Sequence, residues 1–338
     1  MHYLISGHTG FKGAWLTLLL RKRGHTVSGF ALDPIGEGLY DRSEFSTLLE
    51  NDFRQDIRDF NGTLKVFQQT QPDVFIHLAA QPLVLESYKQ PVDTFEINVN
   101  GTLNVLRAAQ EVKSLKGQLI ITTDKVYKNE GFKKAFKESD ALGGDDPYSA
   151  SKAMADILTQ SWMNSFPEIP TAIGRAGNVI GGGDASPDRL IPDMIKNLKV
   201  GQAPQIRHPE YVRPWQHVLD CLNGYLFVIE HLLKSGESAC WNIGPLGSSY
   251  RTVEDLAMEV LKEWTSTSSW IQDKAGYKKE SEFLTLDSSK ARNTIGWHDK
   301  YDFEESVKQT VSWYRRITNG ESPLLVSQEQ VASFELRN

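Results

Sequence analysis

Three glycines, Gly7, Gly10 and Gly13, stand directly after the short apolar run of residues 3–6 and at the head of a segment with helical spacing. In that segment, residues 13–23, the apolar face is carried by Trp15, Leu16, Leu19 and Leu20. Glycines between a strand and a helix let the backbone turn tightly and approach a pyrophosphate, whose charge is met by the helix N-terminus. Spacing alone is weak evidence, since a plain strand–helix turn also uses glycine. The strand before, the helix after and an acid at the end of the next strand make this a dinucleotide loop.

That acid is Asp33, which follows the second expected strand, residues 26–31. A carboxylate there accepts from a ribose 2′-hydroxyl and repels a 2′-phosphate, which favours NAD over NADP, although Arg42 lies nearby. Thr9 and Phe11 within the loop, and Ala79 and Ala80 after a later strand, complete the expected cofactor contacts. Asp56 and Ile57 are placed against the adenine, a position where a bland surface turn reads equally well.

Further strands are expected at 74–77, 118–122 and 171–175, with helices at 94–112 and 148–165 between them. Strands alternating with helices mean β-α-β units and a parallel sheet. After Gly181-Gly182-Gly183 the segments shorten, with helices expected at 190–199, 218–234, 253–264 and 303–317 and a brief strand at 241–243. The fold class is therefore α/β, a Rossmann-type doubly wound parallel sheet with a smaller mixed α/β substrate-binding lobe. Residues 1–180 form the NAD-binding domain with the catalytic residues. Residues 181–320 form mainly the second lobe, with some elements free to return to the first, and 321–338 are a tail without an assigned element.

Composition narrows the partners. A net charge of −6 without blocks of like charge argues against nucleic acid and anionic membrane. Two cysteines without CxxC spacing argue against a disulfide framework or a zinc site, so no metal is expected and the cytoplasm is the expected compartment. The opening residues are too short for a signal-peptide core, and no stretch nears the ~20 apolar residues of a membrane span.

Chemistry enters with Tyr148 and Lys152, four apart at a helix start and so on one face. A free tyrosine titrates near ~10, too high for a base at neutral pH. An adjacent ammonium stabilises the phenolate, which then takes a proton from a substrate hydroxyl as hydride leaves. A surface helix bearing an aromatic and a lysine is far commoner. Thr123, just after a strand, decides between them by offering a second hydroxyl to the same substrate oxygen.

The segment 7–13, Thr123 and Tyr148-x-x-x-Lys152 resemble the extended short-chain dehydrogenase/reductases that act on nucleotide sugars, across residues 2 to about 315. The resemblance implies that Asn98, in Ile97-Asn98-Val99-Asn100-Gly101, orders the active site. It also implies a homodimer through the helices carrying Asn98 and Tyr148. Thr123-Asp124-Lys125 then separates the branches. Epimerases need no acid after the hydroxyl, whereas 4,6-dehydratases place one there, followed by a second proton-transfer group. The Asp124-Lys125 pair, the stretch Arg175 to Asp184 and Arg213-Pro214-Trp215-Gln216-His217-Val218 resemble the branch that acts on CDP-glucose in deoxysugar and O-antigen-type polysaccharide synthesis.

In that chemistry C4 is oxidised, water is lost across C5 and C6, and the hydride returns to C6, so the enzyme is formally a lyase. Asp124 would protonate the departing hydroxyl. Lys125 would remove the C5 proton if burial and like charges depress its pKa, or would stabilise the enolate as an ammonium. The resemblance further places Asn178, Arg189 and Arg213 on the nucleotide diphosphate, with Gln81 by the cofactor or sugar and His217 and Asn242 as additional substrate contacts, although a lone histidine before an apolar run is more often structural. An exposed basic face is the competing reading for Arg213, which lies close to Arg207 and His208. Leu85-Glu86, Ala185-Ser186 and Tyr211 depart from the pattern. The competing functions are another nucleotide-sugar dehydratase, an epimerase, and a non-catalytic NAD-binding regulator.

Overall fold

Strand β1 (His2–Ser6) is buried on both faces beyond His2, so it requires cover above and below. In the computed structural model, which describes all residues except 35, 37, 41–44, 132, 274–280 and 338, that cover comes from helices on both sides of one sheet. Arg42 lies outside the described residues. The sheet also contains β2 (Thr26–Ala31), β3 (Asn51–Arg54), β4 (Val74–His77), β5 (Gly117–Ile121), β6 (Thr171–Ala176) and β7 (Ala239–Ile243). Its order is β7-β6-β5-β4-β1-β2-β3, and every pair is parallel. The order reverses at β1 and β4, where Ser6 lies opposite His77, and a ligand crevice opens beyond such a reversal.

Side chains alternate along each strand and feed two cores. On one face Ile5, Val74, Ile76, Leu119 and Ile121 meet Trp15, Leu16 and Leu19 of α1 (Phe11–Lys22). On the other, Leu4, Phe30, Phe75 and Ile120 meet Phe67 of α2 (Phe60–Thr70) and Val105 and Leu106 of α3 (Gly101–Gln110). The remaining long helices are α4 (Pro147–Ser165), α5 (Leu190–Lys199), α6 (Val218–Ser235), α7 (Val253–Trp264), α8 (Phe303–Thr318) and α9 (Pro323–Leu336). The first starts at Asp146, whose side chain accepts from the Ser149 N–H.

Three elements differ from expectation. The helix expected over 94–112 is interrupted by a π-turn, Glu96–Asn100, ahead of α3. Such turns cluster at functional sites, and this one carries Asn98. Strand β7 starts at Ala239, two residues before the expected strand, and makes the return to the first domain that was left open to it, pairing with β6 at the edge of the main sheet. The tail 321–338 contains α9, which opens on a Ser322 cap with Pro323 at its first position and buries Leu324, Val326, Val331 and Phe334.

A buried ion pair ties sheet, helix and loop together. Arg175 on β6 holds Asp156 on α4 through two nitrogens at 2.9 and 2.7 Å, both residues being almost fully buried. Thr122 donates to the same carboxylate, and Arg175 also donates to the Tyr127 hydroxyl.

Two buried histidines each weaken the fold as pH falls. Burial pulls His77 and His217 down to about 3, against an ordinary value near 6.5. At these two sites the unfolded chain therefore binds more protons than the folded one between those values, and their contribution to stability falls as pH drops below 6.5. Each histidine contributes a loss of up to ~1.4 kcal/mol per pH unit within that window. Asp220, raised by burial to about 8, acts in the opposite sense over the same range, so the histidine contribution is read by difference: in urea melts at pH 7 and pH 5, His217→Asn should lose less midpoint on acidification than the wild type.

Candidate active site

The crevice at the sheet reversal begins with the glycine loop. Gly7 has φ +76°, and a Cβ there would lie 2.7 Å from the Ala79 nitrogen. A Cβ on Gly13 would lie 2.2 Å from the Gly7 carbonyl oxygen. Backbone is thus brought against backbone, which only glycine permits. No side chain caps α1 at Gly10, and no acid stands in its first turn. Its amide end faces the crevice as an anion site of the kind a pyrophosphate fits.

Around the loop, Thr9 donates to the Leu32 carbonyl, and the Phe11 ring lies against Gly181. Asp33 is 87% exposed at the end of β2 and accepts from Arg54 at 3.1 Å. Asp56 pairs with Arg58 at 2.7 Å, while Ile57 is buried against Gly101. Sequence reasoning missed the cluster beneath: His8, inside the glycine motif, shares a hydrogen bond with Asp52, which also accepts from Tyr40 and Arg54.

The opposite wall is the loop after β4. Ser6 Oγ accepts from the N–H groups of Leu78 and Ala79 and pairs with His77 Nδ1 at 2.6 Å. Ala80 follows them into this wall, half-buried. Asn98 accepts from Gln81 N and donates to both the Gln81 carbonyl and Ser151 Oγ. This fastens the cofactor-side loop to the helix bearing Tyr148. The Gln81 side chain is turned into its own loop. Its amide is occupied by Leu83 and Thr94, so it braces the loop instead of reaching a substrate.

Thr123 ends the β5 loop and donates to Asp124 Oδ1 at 3.0 Å. Its hydroxyl also lies near enough to that of Tyr148 to favour the phenolate. Burial pushes the Tyr148 phenol up to about 12, while the Thr123 hydroxyl and the Arg189 charge pull the other way. Lys152, one helical turn on, donates to the Ile121 carbonyl at 2.8 Å. Burial draws its ammonium down to about 8, with Asp156 opposing that shift and Lys12 adding to it. Asp124 is raised by burial, against the pull of Lys125, Thr123 and Arg213, and its Oδ2 has no partner. Burial thus favours the protonated form of this carboxyl over what a free aspartate would show. Lys125 is half-buried and lines a cavity of about 520 Å³ together with Tyr88 and Ser149.

A second cleft, of about 180 Å³, is lined by Asn178, Arg189 and Arg213. The charge of Arg189 is felt at Tyr148 and that of Arg213 at Asp124, so the cleft adjoins the reacting groups. His217 and Asn242 are not in it, and both expectations are corrected. His217 caps α6, packs edge-on against Trp15 and Tyr301, and is fully buried. Asn242, equally buried, accepts from Tyr127 and donates to the carbonyls of Phe136 and Asp287. Both are pieces of the interior. Ser87, which accepts from the Tyr148 N–H, was not legible from sequence, whereas Ser151 lies within the Tyr-Ser-Ala-Ser-Lys segment itself.

A glycine-lined crevice beside a buried Tyr-x-x-x-Lys pair on this sheet defines a short-chain dehydrogenase/reductase of the extended type. More narrowly, residues 4–310 match the family model described as GDP-mannose 4,6 dehydratase, and the chain belongs to that family. It is 38% identical, over 98% of its length and 95% of the relative's, to CDP-glucose 4,6-dehydratase of Salmonella typhimurium. It is 30% identical to dTDP-glucose 4,6-dehydratase of Shigella flexneri over 78% of each. Among solved structures, UDP-glucose 4-epimerase of Thermotoga maritima superposes with a TM-score of 0.84 at 23% identity, covering 94% of this chain and 99% of that one. The dTDP-glucose 4,6-dehydratase of Streptomyces venezuelae gives 0.80 at 23%, covering 96% and 100%. Those two structures establish the shared fold.

Proposed function

We propose that this protein catalyses the NAD-dependent 4,6-dehydration of CDP-glucose to CDP-4-dehydro-6-deoxyglucose. The observation that carries the reading is Asp124: a carboxyl whose burial raises its pKa, bonded to the threonine hydroxyl that also acts on Tyr148. An epimerase has no use for an acid there, and a regulator has no use for the full relay. The sugar nucleotide is argued from the 38% identity to the Salmonella CDP-glucose enzyme over nearly the whole chain.

The cradle of Gly7, Gly10 and Gly13 would hold the pyrophosphate of NAD, with Asp33 on the adenine ribose. The chemistry this cofactor supplies when bound is acceptance of a hydride from C4 and its return to C6. Tyr148 takes the C4 hydroxyl proton, its phenolate stabilised by the Lys152 ammonium, while Thr123 orients that oxygen. The resulting ketone acidifies C5. Lys125 removes the C5 proton and Asp124 gives its proton to the C6 hydroxyl, which departs as water; as C6 is reduced, Lys125 returns a proton to C5. Asn178, Arg189 and Arg213 hold the diphosphate, arginine being suited to it by its fork of donors.

The same reading makes the protein a cytoplasmic homodimer that supplies deoxysugar units for surface polysaccharide. Met154 and Ile157, both exposed on α4, support pairing through that helix. No helix among the described residues is long and apolar enough to cross a membrane. Steady-state kinetics with CDP-, dTDP-, UDP- and GDP-sugars test the proposal. CDP-glucose should have the highest kcat/KM, and a 4-epimer formed without loss of water would overturn the reaction assigned.

A further inference from the structure

The cleft beside the catalytic residues is lined by two chemically different groups of side chains. Toward Tyr148 and Asp124 it presents Arg189 and Arg213, which suit a diphosphate. The same lining includes Arg207 and Asp193, neither of which is among the charges that act on Tyr148 or Asp124. A sugar nucleotide lying with its hexose at Tyr148 and its phosphates at Arg189 and Arg213 carries its base to that part of the lining.

Asp193 sits in the first turn of α5, a helix whose N-cap is Arg189 with no side-chain cap bond, so its carboxylate is not used in capping. The residue is half-buried, faces the cleft, and makes no side-chain hydrogen bond or ion pair with any described residue. Burial raises its pKa, the charge of Asp188 adds to this, and Arg207 opposes it. Arg207 is steadied by a 2.9 Å bond to the Asp188 carbonyl. An acceptor left unpaired on the wall of a nucleotide cleft calls for a donor on the ligand. At the 4-position cytosine offers an amino donor, where uracil and thymine offer a carbonyl acceptor.

We propose that Asp193 selects the base, accepting a hydrogen bond from the 4-amino group of cytosine and repelling the 4-carbonyl oxygen of uracil and thymine. This rests on the reading of the substrate as a CDP-sugar.

The test measures kcat/KM for CDP-, UDP- and dTDP-glucose with the wild type, Asp193→Asn and Asp193→Leu, alongside thermal melts. Asp193→Leu should lose about 10- to 100-fold on CDP-glucose, falling mainly on KM, and Asp193→Asn less, because its amide oxygen can still accept. Asp193→Asn should also narrow the preference for CDP- over UDP-glucose, because its amide can donate to the 4-carbonyl. A merely structural role would lower all three substrates in parallel. If the wild type prefers CDP-glucose and Asp193→Asn keeps that preference unchanged, the assignment of Asp193 is wrong and the substrate reading stands. A wild type that prefers UDP- or dTDP-glucose overturns both.

Discussion

Tyr148→Phe should lower kcat by about 10²- to 10⁴-fold, the range spanned by the loss of a positioned proton-transfer group. The phenyl ring keeps the packing of a buried residue, and the Tyr148 N–H bond to Ser87 is untouched. What disappears is the hydroxyl that meets Thr123. In the free protein burial holds that phenol up to about 12, so it is neutral until the Lys152 ammonium and a bound cofactor's positive charge favour the phenolate. Its stabilisation is realised as the proton moves, and the loss therefore belongs in kcat more than in substrate affinity. Single-turnover measurements of NADH formed at C4 oxidation, with the nucleotide sugar saturating, would check this. A variant turning over within tenfold of the wild type would contradict the assigned role.

Asp156→Ala should cost about 3–5 kcal/mol of stability, because it strands a buried guanidinium. Arg175 is 1% exposed, and its two short bonds to Asp156 are its only ion pair among the described residues. The Tyr127 hydroxyl and the Glu138 carbonyl remain as partners, but neither carries a compensating charge. Thr122 and Gln160 lose an acceptor in the same change. Asp156→Asn should be milder, since the amide oxygen still accepts from Arg175. Urea unfolding of the three proteins reads the difference as a shift of midpoint. A change below about 1 kcal/mol for the alanine variant would mean that water or a neighbour compensates Arg175.

The central strands were legible because parallel strands buried on both faces read as unbroken apolar runs, as in β1 and β4. Helices α5 and α7 matched their expected bounds because their apolar residues recur at helical spacing. Strand β3 was not legible, for it alternates half-buried and exposed at the sheet edge, with only Phe53 strongly apolar. Helix α2 buries just two large apolar side chains, Val66 and Phe67. Helix α9 is apolar on several sides because it packs on both α1 and α8, and this erases the amphipathic signal.

The reacting groups were legible for a different reason. Tyr148 and Lys152 share a helix turn, and Thr123 and Asp124 follow a strand whose carboxyl end must face the crevice. Fold topology alone brings these pairs together. Gln81, His217 and Asn242 show where such inference stops. A polar side chain that ties loops or strands together inside the protein has the same sequence appearance as one that holds a ligand. Only the hydrogen-bond partners distinguish the two. Asp193 is the converse case, an unremarked helix residue that becomes informative once its carboxylate is seen facing a cleft without a partner.

The measurement closest to the central claim is the fate of the C5 proton. The protein is incubated with NAD and CDP-glucose in deuterated water, and the product is examined by mass spectrometry and NMR. The account predicts a 4-keto-6-deoxy product that has lost water and carries one deuterium at C5. A product that keeps its C6 hydroxyl, or a 6-deoxy product whose C5 retains the original proton, would contradict it.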